Sequence, residues 1–320
     1  MMYETLDRLS CSLSRRLDLW INSNPTTATS PQAEYLVSVL RAREYEAISE
    51  NDPGQFQSCW VDAMALSPQE PMFHMMRRCH DRLIDFVTGE TDGVKVIFDG
   101  EGIALWKQLQ RESFFMEHYS RLAADLLLAI APMGSRLLEV GAGTGATTQH
   151  IMRSAHHNKF ASYVFSDVSP AFLLQARRDF DSDPSFSTRL FDINLDPWSQ
   201  FGADAVFDFI VAVNVLHVAD DPRAAFEHVS QLLAPGGTLV LSEGMPEPTG
   251  AVWAAEPVFA FLPQWAKDPE RRAAMSGFYD WHFWEAIASN SGLILLQPPS
   301  APWHSSEMRG GVTLFRKPAH

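Results

Sequence analysis

Residues 138–145 read Leu-Glu-Val-Gly-Ala-Gly-Thr-Gly. Glycine accepts positive φ and lets backbone come close to a ligand, so a turn of this kind between a strand and a helix suits a small molecule. Two details narrow the chemistry. The glycines alternate at every second position, and a carboxylate, Glu139, sits at the strand end just before them. A pyrophosphate needs bare amides at a helix N-terminus and is disfavoured by a neighbouring anion. A ligand that carries positive charge tolerates Glu139 well. Asp167, in FSDVSPAF, follows Gly141 by 26 residues. Doubly wound folds place an acid there to accept hydrogen bonds from ribose hydroxyls. Asp192, in RLFDINLDP, is placed after the next strand, where it can receive an adenine amino group. Any one of these acids alone reads as a helix cap or a solvated loop residue. Three at successive strand ends of one sheet edge point to a nucleoside-bearing ligand.

The elements that must hold these residues alternate strand, turn, helix. A helix over about 112–130 puts Tyr119, Leu122, Ala123, Leu126, Leu127 and Ile130 on one face and stops at Pro132. Strands are expected at 136–140, 162–166, a segment ending at 190–191, 207–213 and 238–242. Helices are expected after the Gly-rich turn, from Pro170, over 222–233 and over 279–290. Two more strands, near 293–296 and 312–316, close the chain. Such alternation implies an α/β fold with a mostly parallel sheet covered on both faces. The first 110 residues read as helices and loops, with helical spacing over 32–49 and 71–87 and strand-like alternation only at Val94–Phe98. Segments 24–31 and 51–54 are rich in turn formers.

Composition sets outer bounds. The 320 residues are 46% hydrophobic and carry 39 acids against 25 Lys and Arg, a net charge of -14. Duplex binding draws on Lys and Arg to neutralise phosphates, so nucleic acid and anionic membranes are poor partners. No apolar run approaches the roughly 18 residues a membrane span needs, and the first ten residues lack a basic segment leading into an apolar one. Cys11, Cys59 and Cys79 are too few and scattered for a disulfide framework, and Cys79-His80 near His74 lacks the spacing of a metal site. Reduced thiols fit the cytoplasm.

LLEVGAGTGATT, FSDVSPAF, FDINLDP, DFIVAVNVLHV and LLAPGGTLVLSE stand in the order and spacing of class I S-adenosylmethionine-dependent methyltransferases. The set resembles, more narrowly, the methyltransferase domains of polyketide synthases and their free-standing relatives. The resemblance covers about 85–320 well and the first 80 residues loosely. It implies a seven-stranded Rossmann-like sheet with an N-terminal helical lid or substrate domain (1–110) before the methyltransferase domain (111–320). Glu139, Gly141, Gly143 and Gly145 would cradle the methionine part of S-adenosylmethionine, Asp167 its ribose and Asp192 its adenine. Asn214 matches a position lining the donor pocket, and Tyr119 an aromatic that can close over the donor.

The resemblance also implies a His–Glu dyad, here His217 in NVLHV and Glu243 in LVLSEGM. The fourth and fifth strands of this fold are neighbours about 4.8 Å apart, and both residues sit at the carboxyl edge where open α/β sheets bind ligands. A carboxylate fixes the imidazole tautomer and stabilises the cation formed when the ring takes a proton. The acceptor must lose its proton as it attacks the methyl, so a base is useful and a metal is not required. His118, His150, His156, His157 and His228 lack such a context. An insertion at about 245–278, with Trp253, Phe259, Phe261, Trp265 and Phe278, would cap the acceptor site or pack as ordinary core. The stretch 264–272 carries positive charge that would meet a phosphopantetheine arm or an acyl carrier protein, or form a solvated helix face. A polyketide-like small molecule, free or carrier-bound, is the expected acceptor. A free chain with its own termini favours a hydroxyl acceptor, while an activated methylene suits the same dyad. Two other readings stay open: a nicotinamide oxidoreductase, opposed by the glycine spacing and Glu139, and an idle donor-binding scaffold, opposed by the dyad.

Overall fold

The computed structural model describes residues 1–24, 31–42, 55–154, 157–246, 253–266, 268–274, 276–297 and 310–319. The expected turn segments at 25–30 and 51–54, the end of the expected helix over 32–49, His156 and Lys267 lie outside them. Six helices come first: α1 (Met2–Ser23), α2 (Pro31–Ala42), α3 (Gln55–Leu66), α4 (Pro71–Val87), α5 (Gly93–Phe98) and α6 (Glu101–Glu112). The alternating part runs α7 (Met116–Ile130), β1 (Ser135–Val140), α8 (Ala146–Arg153), β2 (Phe160–Asp167), α9 (Pro170–Phe180) and β3 (Phe186–Leu190). It continues through α10 (Pro197–Phe201), β4 (Phe207–Val213), α11 (Pro222–Gln231) and β5 (Leu233–Gly244). Short helices α12 (Glu256–Phe259) and α13 (Pro269–Ala274) follow, then α14 (Trp281–Asn290), β6 (Ile294–Gln297) and β7 (Gly310–Arg316).

The chain divides into two compact units. One joins Met1–Phe114 to Pro246–Gly277, and the other joins Phe115–Met245 to Phe278–His320. The aromatic insertion therefore groups with the N-terminal helices. In the second unit the sheet runs β3-β2-β1-β4-β5-β7-β6. The first five strands are mutually parallel, and β7 lies antiparallel to both β5 and β6. This is the expected α/β, mostly parallel Rossmann-like sheet. Its order reverses between β1 and β4, the switch point at which such sheets bind ligands. Leu138, Ile210 and Leu239 belong to the apolar layer on one face, and Leu137, Phe209 and Val240 to that on the other.

Three local expectations need correction. Val94–Phe98 is helical, because Asp92 caps α5 by accepting the Lys95 amide at 2.8 Å; a short apolar run carries no strong period, so the cap decides. The helix expected over 112–130 starts at Met116, since the Phe114 amide turns away to Glu70 Oε2 at 3.2 Å. Its buried stripe is Tyr119, Ser120, Ala123, Ala124, Leu127 and Leu128, while Ile130 is exposed. The real face is therefore rotated by about one residue from the one read off large side chains, and small residues let α7 sit close to the sheet.

Within the first unit, Glu256 on α12 is wholly buried. Its Oε1 accepts the Gly277 amide at 2.7 Å, the Trp265 indole N–H and, at 3.5 Å, the Tyr35 hydroxyl from α2. Arg271, expected among the solvated or docking charges of 264–272, is 2% exposed and donates to the Gly277 carbonyl at 3.1 Å. Burial pushes the Glu256 carboxyl up to about 7, against the pull of its donors. The folded unit thus holds a proton that an unfolded glutamate has released, and this contribution to stability is lost as pH rises from about 4.5 through about 7. Urea unfolding at pH 5 and pH 8 checks this: Glu256→Gln should reduce the loss of stability between the two by about 2 kcal/mol.

Candidate active site

The turn after β1 has the backbone its sequence demands. Gly141, Gly143 and Gly145 have φ of 59°, 55° and 77°. A Cβ on Gly141 would lie 2.1 Å from Val215 Cγ2, so this glycine admits the chain leaving β4 rather than a ligand. The Ala142 amide donates to Ser166 O at 2.9 Å, fastening the turn to the end of β2.

Asp167 ends β2 and is 7% exposed. Its Oδ2 accepts the Gly143 amide at 2.9 Å and its Oδ1 the Ser169 amide at 2.8 Å. Burial raises the Asp167 carboxyl above its ordinary range, opposed by these amides. Its carbonyl takes the Phe191 N–H at 3.1 Å, drawing the β3 end alongside. One residue on, the half-buried Asp192 folds into a local turn, its Oδ1 accepting the Asn194 amide at 2.9 Å and the Asn194 side chain at 3.0 Å. Glu139 faces inward: 3% exposed, it accepts the Thr148 hydroxyl at 2.6 Å and the Tyr163 hydroxyl on the same oxygen, Oε2. Burial pushes its carboxyl up to about 7.

At the next two strand ends, β4 leads into a short helical turn, Leu216–Val218. The wholly buried Glu243, near the end of β5, satisfies this turn. Its Oε1 accepts the Val215 and Leu216 amides at 3.2 and 2.9 Å, and its Oε2 is 2.5 Å from His217 Nδ1. A carboxylate accepts only, so Nδ1 carries the hydrogen and Nε2 is the basic nitrogen. The Phe278 ring lies 4.9 Å from the His217 ring, tilted at 55°. Asn214 is the described non-glycine residue with positive φ, 49°. Its amide donates to Ser242 O at 2.7 Å and its Oδ1 accepts the Gly244 amide at 2.9 Å, so it extends the β4–β5 ladder around Glu243. Tyr119 is buried on α7, its carbonyl taking the Ser242 hydroxyl at 3.3 Å. A Cβ on Gly310 would lie 2.5 Å from the Tyr119 ring, which places that ring beside the β5–β7 pair.

The structure thus gathers the ten expected residues at one edge of the sheet, around β1, β2, β3, β4 and β5. Sequence reasoning missed Thr148, Tyr163 and Val215. The hydroxyl three residues into α8 was a usable signal for Thr148. Phe278 was expected among the insertion aromatics, and its ring lies against His217. Two of the other described histidines serve locally: His228 bonds Ile193 O at 2.9 Å and His150 pairs with Glu117.

A methyltransferase domain family matches residues 138–239. Highly reducing polyketide synthase bet1 of Neocamarosporium betae is 33% identical over 97% of this chain, which spans 11% of that protein. Other curated polyketide synthases match over 3–8% of their length. Among solved structures, the CurJ carbon methyltransferase superposes with a TM-score of 0.82 at 22% identity, covering 99% of this chain and 92% of that one. The trans-methyltransferase CalH, solved with S-adenosylhomocysteine, gives 0.74 at 21% identity, covering 98% and 90%. The chain carries a methyltransferase domain on a class I methyltransferase fold, with S-adenosylmethionine as the expected methyl donor. Within that class it is of the polyketide synthase type.

The rim fits such a donor. Buried acids stand where a pyrophosphate would be repelled, and Glu139 already offsets the positive end of α8. Gly141→Ala should cost the fold about 2 kcal/mol or more, through strain at φ 59° and the Val215 clash. Thermal unfolding with and without S-adenosylhomocysteine checks this, and the ligand-induced rise in Tm should shrink. Asp167→Asn should weaken donor binding by about tenfold in calorimetry if Asp167 is the ribose acceptor expected from the sequence, since it would replace a carboxylate oxygen with a partial donor.

Proposed function

We propose that the protein methylates a carbon flanked by carbonyls in a polyketide-like chain held as a thioester, with His217 as base and Glu243 as its orienting partner. The observation that supports this reading most is the 2.5 Å Nδ1–Oε2 contact inside a wholly buried pair. An imidazole is matched to an acid of moderate strength. A methylene between two carbonyls meets that condition and an aliphatic alcohol does not, which favours carbon over the oxygen acceptor expected from the sequence. The relatives agree: bet1 is named a polyketide synthase and the CurJ domain a carbon methyltransferase.

S-adenosylmethionine supplies, when bound, an electrophilic methyl on a sulfonium. His217 Nε2 takes the proton from the acceptor carbon, and Glu243 Oε2 stabilises the imidazolium that results. The Val215 and Leu216 amides hold Glu243 in place, so the ring meets the acceptor in one orientation. Asp167 would accept from the ribose, Asp192 would meet the adenine, and the Gly141–Gly145 turn would carry the methionine end. Tyr119 and Asn214 shape the rim beside β5. Carrier-bound substrates deliver the thioester to the same base as free ones.

Donor carrying a carbon-13 methyl, incubated with β-ketoacyl N-acetylcysteamine thioesters and with hydroxylated analogues, tests the reading. Mass spectrometry should show a gain of one methyl on the ketoacyl thioester, with the carbon-13 resonance of a C-methyl. An O-methyl resonance, or labelling of the hydroxylated analogues alone, would overturn it. His217→Ala should lose about 10²-fold or more in turnover, with calorimetric binding of the donor retained.

A further inference from the structure

Glu139 is the acid nearest the Gly-rich turn in sequence, yet its carboxylate points into the apolar layer among Leu137, Tyr163, Phe165 and Val211. Three elements meet on its Oε2: β1 supplies the acid, β2 the Tyr163 hydroxyl and α8 the Thr148 hydroxyl. The need for such a junction is visible in α8 itself. Its N-cap is Gly145, which has no side chain to bond the first amides of the helix. Thr148 is its third residue, and the Thr148 amide also favours the charged form of Glu139.

We infer that Tyr163 and Thr148 are positioning residues for the methyl donor: their hydroxyls hold the Glu139 carboxylate beneath the start of α8, and the Gly-rich turn binds S-adenosylmethionine only while that carboxylate is so held. This deepens the assignment of the rim as a donor site and rests on it. The carboxylate replaces the missing cap and joins both ends of the turn to β2. Burial and the neighbouring Glu139 raise the Tyr163 phenol well above its ordinary range, so it stays a donor. Glu139, pushed up to about 7, changes charge near neutrality. Asp167, at the end of β2, is the other charged group acting on it among the described residues; it raises the Glu139 carboxyl further. Beside Glu139, β4 presents Val211, and α8 contributes the Thr148 hydroxyl and amide.

Calorimetric titration of S-adenosylmethionine into the full chain from pH 6 to 8.5 tests this. Wild-type affinity should rise as Glu139 loses its proton. Removing a donor to a carboxylate raises its pKa, so Tyr163→Phe should move that rise upward by about one pH unit and weaken binding at pH 7 about fivefold to tenfold. Thr148→Val should move it the same way, and Thr148→Ser should restore the wild-type curve. Glu139→Gln should remove this limb altogether, leaving only the titration of the donor's own amine, which is common to every variant. Wild-type midpoints in both Tyr163→Phe and Thr148→Val would overturn the inference while leaving the donor site intact. Failure of wild type to bind the donor at any pH would instead remove the donor site, and this inference with it.

Discussion

A carboxylate taken out of water must be met by donors, or the charge cannot stay. At the carboxyl edge of this sheet three acids are in that position, and the backbone is bent to serve them. Glu243 collects two successive amides and an imidazole N–H. Asp167 collects the amides of Gly143 and Ser169. Glu139 collects two hydroxyls. Each acid joins segments that are 9 to 28 residues apart in sequence. The shape of the rim is therefore set by polar satisfaction, and apolar packing supplies the rigid sheet beneath it.

Chemistry is divided along that rim. The ends of β1, β2 and β3 carry acids suited to a nucleoside with a positive charge, and the ends of β4 and β5 carry the imidazole and its partner. The parallel register explains the proximity. Val213 pairs with Ser242, so the residues that follow on both strands emerge side by side. Asn214 keeps them in step by letting its side-chain oxygen take the Gly244 amide, as a main-chain carbonyl would. Its left-handed φ is tolerable because Asn is among the few non-glycine residues that visit that region readily.

The strand, the three spaced glycines and the acid at each following strand end were legible in sequence because each sits at a strand end of a regularly alternating pattern. The dyad was legible only through resemblance, since 26 residues separate His217 from Glu243. What stayed hidden depends on capping and on distant chain. Val94–Phe98 has strand-forming residues, but one aspartate before it makes a helix. The stripe of α7 was misjudged because Leu122 and Leu126 look like core, whereas Ala123, Ala124 and Ser120 are what the close approach to the sheet requires. The role of Glu139 was read as facing the ligand; the structure turns its carboxylate inward, and only the pairing of β1 with β2 brings Tyr163 within reach.

The two halves of the rim are not independent, and Val215 is where they join. Its amide donates to the orienting carboxylate of the dyad. Its side chain fills the space that a Cβ on Gly141 would occupy. Displacement of the donor turn therefore presses on the same residue that helps fix Glu243, and through it His217. A buried side chain has few alternative rotamers in a packed interior, so such a displacement passes to the backbone. Substitution at Gly141 should for this reason disturb His217, the proposed base, as well as the proposed donor turn, although Gly141 lies in neither half of the dyad. The glycine conventionally credited with admitting a ligand here admits a valine, and that valine keeps donor turn and base in register.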